Sequence, residues 1–178
     1  MNTAPHKNLP SKERQLALDI LYSALGGRKL DRVFEDTASI FENDTKTRMN
    51  QVYNIVYGVA RRHLSLNAYI DSRVKEKLPA KANIILEIGL YELAFNRSSK
   101  DYAVISDALK LADFLDLTKY KSVINAVLRR FADNPDNGIK ALLSQKQVSS
   151  YVFDEMKRTF GDHATKIMHD FLNPSPLF

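Results

Sequence analysis

The sequence has no cysteine at all. That absence excludes disulfides and thiolate metal sites, removes the thiolate nucleophile from the candidate chemistries, and agrees with a cytoplasmic setting. Glycine is scarce: Gly26, Gly27, Gly58, Gly89, Gly138 and Gly161 are spaced so that neither a G-x-G-x-x-G turn nor a Walker phosphate loop can be assembled. No nucleotide or S-adenosylmethionine site is therefore expected in this chain. The four histidines are His6, His63, His163 and His169, and the last two are six apart, on different faces of a helix, so no metal site is expected either. G-x-S-x-G is missing, and the acidic residues read as solvating charges on helix surfaces, not as acid–base pairs. No apolar run reaches the roughly 20 residues that a membrane span needs, and the start MNTAPHKNLP lacks the apolar stretch of a signal peptide. The expectation is a cytoplasmic protein with no membrane partner.

What is present suits one folded unit. With 178 residues, 44% hydrophobic and 26% charged, the chain can bury one good core, or one core with a small appendage, and does not have a disordered composition. The formal net charge of +5 and pI near 9.3 favour a polyanionic partner such as RNA.

Helical period runs through nearly all of it. Ala17, Ile20, Leu21, Ala24 and Leu25 share a face, with Ser11 placed to cap the start and Gly26-Gly27 to stop the helix. Leu30, Val33, Phe34, Thr37 and Phe41 predict a second helix. Asp44 is placed to cap a third that ends near Arg61 and Arg62, and Leu66, Tyr69, Ile70 and Val74 predict a separate fourth running up to Pro79. Ala82, Ile85, Leu86, Gly89 and Leu93 form a fifth stripe, in which the glycine predicts close approach of a neighbouring helix. Asp101 opens a sixth, and Thr118 is placed to cap a seventh whose inward face is Val123, Ile124, Val127 and Phe131. The turn formers of DNPDNG at 133 to 138 suggest the main domain boundary. Beyond it, Val148, Val152, Phe153, Met156 and Phe160 predict one amphipathic helix, and Ile167, Met168 and Phe171 another. No strand alternation or repeat is evident, so the fold class is all-α.

Two arginine pairs follow apolar helical stretches, in VYGVARRHLSL at 56 to 66 and KSVINAVLRRF at 121 to 131. At 100° per residue neighbouring arginines splay to different surfaces, so one of each pair can reach an anion while the other bonds carbonyls near a helix end. The register predicts that Arg129 is free for phosphate and that Arg130 lays its stem on the apolar stripe. Tyr22, Tyr53 and Tyr57 are expected to serve core packing, which leaves little base reading.

These pieces carry a family resemblance. RQLALDILY at 14 to 22, RMNQVYNIVYGVARRHLSLNAYI at 48 to 70, ILEIGLYELAF at 85 to 95, DYAVISDALKLAD at 101 to 113 and KSVINAVLRRF occur in family order. Together they resemble the amino-terminal, NusB-like domain of the Sun/Fmu/RsmB family of ribosomal RNA cytosine-5 methyltransferases. The tail, QVSSYVFDEMKRTFGDHATKIMHDFLNPSPLF, looks like the connector that leads into the catalytic part of those enzymes. The resemblance implies a NusB-like helical bundle over 11–132, after a flexible 1–10, with linker and connector helices over 133–178. It also implies a C-terminal methyltransferase domain that holds S-adenosylmethionine and lies outside this chain, for which the ending PSPLF reads as a truncation. On that reading the chain alone is not an enzyme. It would hold ribosomal RNA through phosphate contacts from Lys12, Arg14, Arg61, Arg62, Arg129 and Arg130, and position a target cytosine for its own catalytic domain. Two alternatives stand beside it: a free-standing transcription antitermination factor of the NusB type, and a helical adaptor that binds protein.

Overall fold

A computed structural model describes residues 9–40, 48–96, 99–144 and 148–172. These residues form nine α-helices and two short 3-10 turns, with no strand among them. The expectations for Asp44, Phe41, the first eight residues and the PSPLF ending fall outside the described residues.

Helix α1 (Lys12–Leu25) starts where the Ser11 side chain accepts the Arg14 backbone N–H, and it stops at Gly26, followed by Gly27 at φ +94°. That left-handed turn suits glycine because it has no Cβ to clash. Helix α2 (Leu30–Ile40) buries only Val33 fully. Helix α3 (Met49–Asp71) is one continuous rod of 23 residues. The sequence reading divides it in two at the arginine pair, and the structure corrects this: residues 59 to 71 contain neither glycine nor proline, so the backbone ladder runs on although the apolar stripe resets. The stretch from Ser72 to Pro79, expected to carry the fourth helix, is irregular.

Helix α4 (Ala80–Phe95) is the centre of the bundle, and from Ile84 to Leu90 every residue is buried. A helix apolar all round can only be stable when enclosed, and α1, α3, α5 (Asp101–Phe114), α6 (Lys121–Asp133) and α7 (Pro135–Leu143) enclose it. Two glycines make this possible. A Cβ on Gly58 of α3 would lie 2.0 Å from the Tyr91 ring of α4, and one on Gly89 of α4 would lie 2.8 Å from Leu128 of α6. The second is the close approach that the sequence suggests.

On α6 the buried face is Ile124, Val127, Leu128 and Phe131, with Val123 only half-buried. Thr118 opens a 3-10 turn ahead of α6 and does not cap the helix itself. DNPDNG is helix from Pro135 onward, because a proline at the first helical position loses nothing by lacking its N–H. Gly138 and Leu142 of α7 are buried, with Gly138 against the Phe131 ring, so the bundle's packing continues past residue 132.

Helices α8 (Ser150–Phe160) and α9 (Ala164–Leu172) form a hairpin through the second 3-10 turn. Its buried side chains are Ala164, Met168 and Leu172, one i, i+4, i+8 row, whereas Ile167 and Phe171, expected inward, are exposed. No helix of the described residues is long and apolar enough to cross a membrane.

Candidate nucleic-acid interface

The six basic residues singled out by the sequence divide sharply. Arg14 is 7% exposed and belongs to the interior. Its Nε donates to Glu92 Oε2 at 2.6 Å, its Nη2 to Glu92 Oε1 at 3.0 Å and its Nη1 to Asp107 Oδ2 at 3.0 Å. The Ser11 backbone N–H closes the group on Asp107 at 3.0 and 3.1 Å. Burial works against the guanidinium charge, but the bonds to Glu92 and Asp107 outweigh it and raise the Arg14 pKa. One cation faces two carboxylates, and burial pushes the Glu92 carboxyl up in spite of Arg14. Arg14 therefore joins α1 to α4 and α5 and is not a surface phosphate contact. The expectation that acidic residues are all solvating charges is corrected as well. Because α4 is enclosed, its glutamates are enclosed with it and must find partners inside.

Glu87, also on α4 and 1% exposed, takes His63 Nδ1 at 3.0 Å and the Asn83 amide at 2.8 Å. Asn67 bonds both Asn83 and the His63 ring. The hydrogen bond to Glu87 holds the His63 pKa above its usual value against the effect of burial.

Arg62 is likewise 7% exposed, with its guanidinium carbon 4.1 Å from the centroid of the Phe95 ring. Burial lowers its pKa. With Phe95 it floors a cavity of about 760 Å³ whose far side is built by α8 and α9, including Phe153, Met168 and Leu172. Neither Arg61 nor Arg62 is near a helix end, so terminal carbonyls are not what they serve.

Arg61 is partly exposed and Lys12, Arg129 and Arg130 are exposed. Arg129 Nε donates to Asn125 Oδ1 at 2.9 Å, one helical turn back. Among the described residues Arg61, Arg129 and Arg130 have no acidic partner. The predicted contrast within the second pair is absent: both arginines are exposed, Arg129 bonds only Asn125, and Arg130, expected to be structural, has no bond partner among the described residues. Helix α6 runs on to Asp133, so the carbonyls within reach of Arg130 stay inside the hydrogen-bonded ladder. The structure brings Arg61 and Arg62 together beside Tyr91, and it places Arg129 and Arg130 on a different helix with no bond to them.

The amides Asn50 and Asn54 of α3 are not among the residues expected from the sequence, and its tyrosines are expected in the core. Tyr53 is 38% exposed, 4.4 Å from the Tyr57 ring and 5.6 Å, edge-on, from Phe34. The Tyr57 hydroxyl donates to Asp31 at 2.6 Å, and burial with that bond pushes its pKa up to about 12. Tyr22, 45% exposed, lies under the Lys81 ammonium at 4.9 Å. Tyr22 and Tyr53 are at the surface, contrary to the core use expected of them, whereas Tyr57 is half-buried and packs against the core as expected. The signal was available: Asn50, Tyr53, Asn54, Tyr57 and Arg61 repeat with helical period, but the apolar stripe beside them draws the eye. Among the described residues no group of three or more histidine, cysteine or acidic side chains could hold a metal ion.

The fold and these surfaces define an all-α bundle around one enclosed helix, with aromatic and amide side chains on its outside and arginines that have no acidic partner among the described residues. The chain belongs to the NusB family, whose model matches residues 11–133. It is 30% identical to the transcription antitermination protein NusB of Arthrobacter sp. over 123 residues, covering 67% of this chain and 89% of that protein. The NusB of Pseudarthrobacter chlorophenolicus is 28% identical over 130 residues, again 67% of this chain and 89% of the relative. A probable ribosomal RNA small subunit methyltransferase B of Synechocystis sp. is 26% identical over 133 residues, 68% of this chain but 30% of that protein. The chain thus spans less than a third of the methyltransferase and most of the antitermination proteins.

Proposed function

We propose that this chain is an RNA-binding module in which Arg61, Arg129 and Arg130, with Lys12, contact RNA phosphates. The observation that carries the reading is the division of the arginines within a NusB-family bundle. Arg14 is consumed by interior carboxylates, while Arg61, Arg129 and Arg130 stand toward solvent with no carboxylate among the described residues to neutralise them. A cation left without an acidic partner keeps its full attraction for phosphate. Fluorescence anisotropy at low salt with labelled RNA tests it. Four neutralised phosphates give log K against log salt a slope of roughly −3, taking about 0.7 per phosphate for single strands. Retained binding with a slope near zero would exclude these cations, and no RNA binding would favour the protein adaptor.

Two finer readings divide the support. The antitermination reading is favoured by the NusB relatives, which are matched over most of their length. The methyltransferase reading, in which the module positions ribosomal RNA for a C-terminal domain that holds S-adenosylmethionine, is favoured by α8 and α9, which lie beyond the family match at 133. An in vitro transcription assay separates them: relief of termination by this chain supports the first, and its absence with RNA binding intact supports the second. Under either reading the chain by itself transfers no methyl group to undermodified ribosomal RNA.

A further inference from the structure

RNA binding leaves unused the cavity of about 760 Å³ between the bundle and the hairpin. That is the size of a small-molecule site, which typically occupies roughly 300–1,000 Å³. Its lining is graded by depth. Arg62, Phe95, Phe153, Met168 and Leu172 are buried or half-buried, whereas Asp154 and His169 are exposed and stand at the mouth.

An apolar cavity with a cation in its floor has a definite preference. Taking the Arg62 guanidinium out of water disfavours its charge, and Arg61, next in the chain, disfavours it further. The face of the Phe95 ring, 4.1 Å from the guanidinium carbon, answers part of that cost. An anion brought alongside would answer more, because charges attract several times more strongly in a protein interior than in water. Asp154 does not cancel this attraction, since its carboxylate is exposed and solvent screens it. A bare inorganic ion is nevertheless a poor occupant: it would give up its water for walls that are mostly hydrocarbon and ring. A polypeptide segment is also a poor one, because each of its residues brings a backbone N–H and C=O that the side chains of Phe95, Phe153, Met168 and Leu172 cannot satisfy. An anion carried on an apolar body meets both demands, and the burial of that body offsets the dehydration of its head.

We infer that this cavity binds a small amphipathic anion, its charged head on Arg62 and its apolar body held between Phe95 of the bundle and Phe153, Met168 and Leu172 of the hairpin. Medium-chain and aryl carboxylates are the chemical class. Because α3 and α4 supply one side of the site and α8 and α9 the other, occupancy also ties the hairpin to the bundle. Nothing in this depends on RNA binding.

The test uses the full chain with decanoate and decylamine, equal in chain length and opposite in charge, titrated calorimetrically near neutral pH below their micellar concentrations. Decanoate binds roughly tenfold more tightly than decylamine. Octanoate, two methylenes shorter, binds roughly fifteenfold more weakly than decanoate, at about fourfold for each buried methylene. In protein labelled with carbon-13 at methionine methyls, decanoate shifts the Met168 signal and leaves that of Met49, which lines a different hollow, in place. It also slows amide exchange in α8. Arg62→Gln abolishes the preference for decanoate over decylamine, whereas Phe153→Ala weakens both amphiphiles roughly tenfold and keeps the preference. Circular dichroism shows whether each variant is folded. If Arg62→Gln fails to fold, the parent's charge preference, the Met168 shift and the half-buried Phe153→Ala variant still decide. Equal binding of the two amphiphiles by the parent overturns the anion site, and so does a Met168 signal that stays still. If neither amphiphile binds, the small-molecule site is overturned and an apolar segment of a protein partner is the occupant left.

Discussion

The bundle of α1 and α3 to α7 and the hairpin of α8 and α9 use the same kinds of residue to opposite effect. In the bundle, charged groups are pulled inside and answered there, as with Arg14, Glu92 and Asp107, and a large ring such as Phe131 is fully buried. In the hairpin the Arg158–Glu155 pair is exposed, and Tyr151, Phe160 and Phe171 stand largely in solvent. The hairpin faces the bundle across a cavity, over Arg62 and Phe95, and not through a filled core. Amphipathic spacing alone does not bury a helix; it must find a second apolar face at packing distance.

The contrast is most easily broken at the charges. Arg14→Ala leaves Glu92 and Asp107 uncompensated in the interior and should cost about 3–5 kcal/mol in urea unfolding. Arg158→Ala should stay within about 0.5 kcal/mol, as an exposed pair contributes little. Equal costs would mean that Arg14 is solvated in the folded state.

Next come the rings. Phe131→Ala should cost about 3–5 kcal/mol, and Phe171→Ala well under about 1 kcal/mol, read from the same unfolding curves. A large loss at Phe171 would show that the hairpin has a core of its own.

Smaller in energy, but direct, is amide hydrogen exchange. The α4 amides should exchange only through global unfolding, and those of α8 through local opening at much lower cost. Indistinguishable protection would erase the distinction between the regions.

The smallest effect is on pH. His63 has a raised pKa in the folded state, so the stability it contributes is fully present below its unfolded value near 6.5 and is lost as pH rises through the higher folded value. Melting temperature should therefore decline across that window, and His63→Gln should flatten the decline. A parent whose stability rises there would reverse the assignment.

Much of this arrangement was legible in the sequence where the cause is local. Ser11 and Gly26-Gly27 bound α1 because a cap and a left-handed turn are events of a few residues, and Gly89 announced a close helix because the stripe around it is otherwise bulky. The continuity of α3 was not legible, since a stripe that resets looks like an end even when the backbone has no reason to stop. Nor was the place of Arg14 legible: its partners are 78 and 93 residues away, and no local window contains them. Of the six basic residues proposed for RNA, the two that the structure buries are the ones whose neighbours come from other helices. The surface amides of α3, Asn50 and Asn54, were visible in spacing, but an uncharged polar side chain on a helix gives no signal of its own in the sequence.

The unbroken course of α3 has a mechanical consequence. A helix of 23 residues is a rod about 34 Å long. Asn50 and Tyr53 sit near one end of it, and Arg62, one wall of the cavity under the hairpin, lies farther along the same shaft. A break at the arginine pair would have made two pieces that turn independently. As a single shaft, α3 transmits torque: any roll that re-aims the amides re-aims Arg62 through the same angle, and a clamp on either one restrains the other.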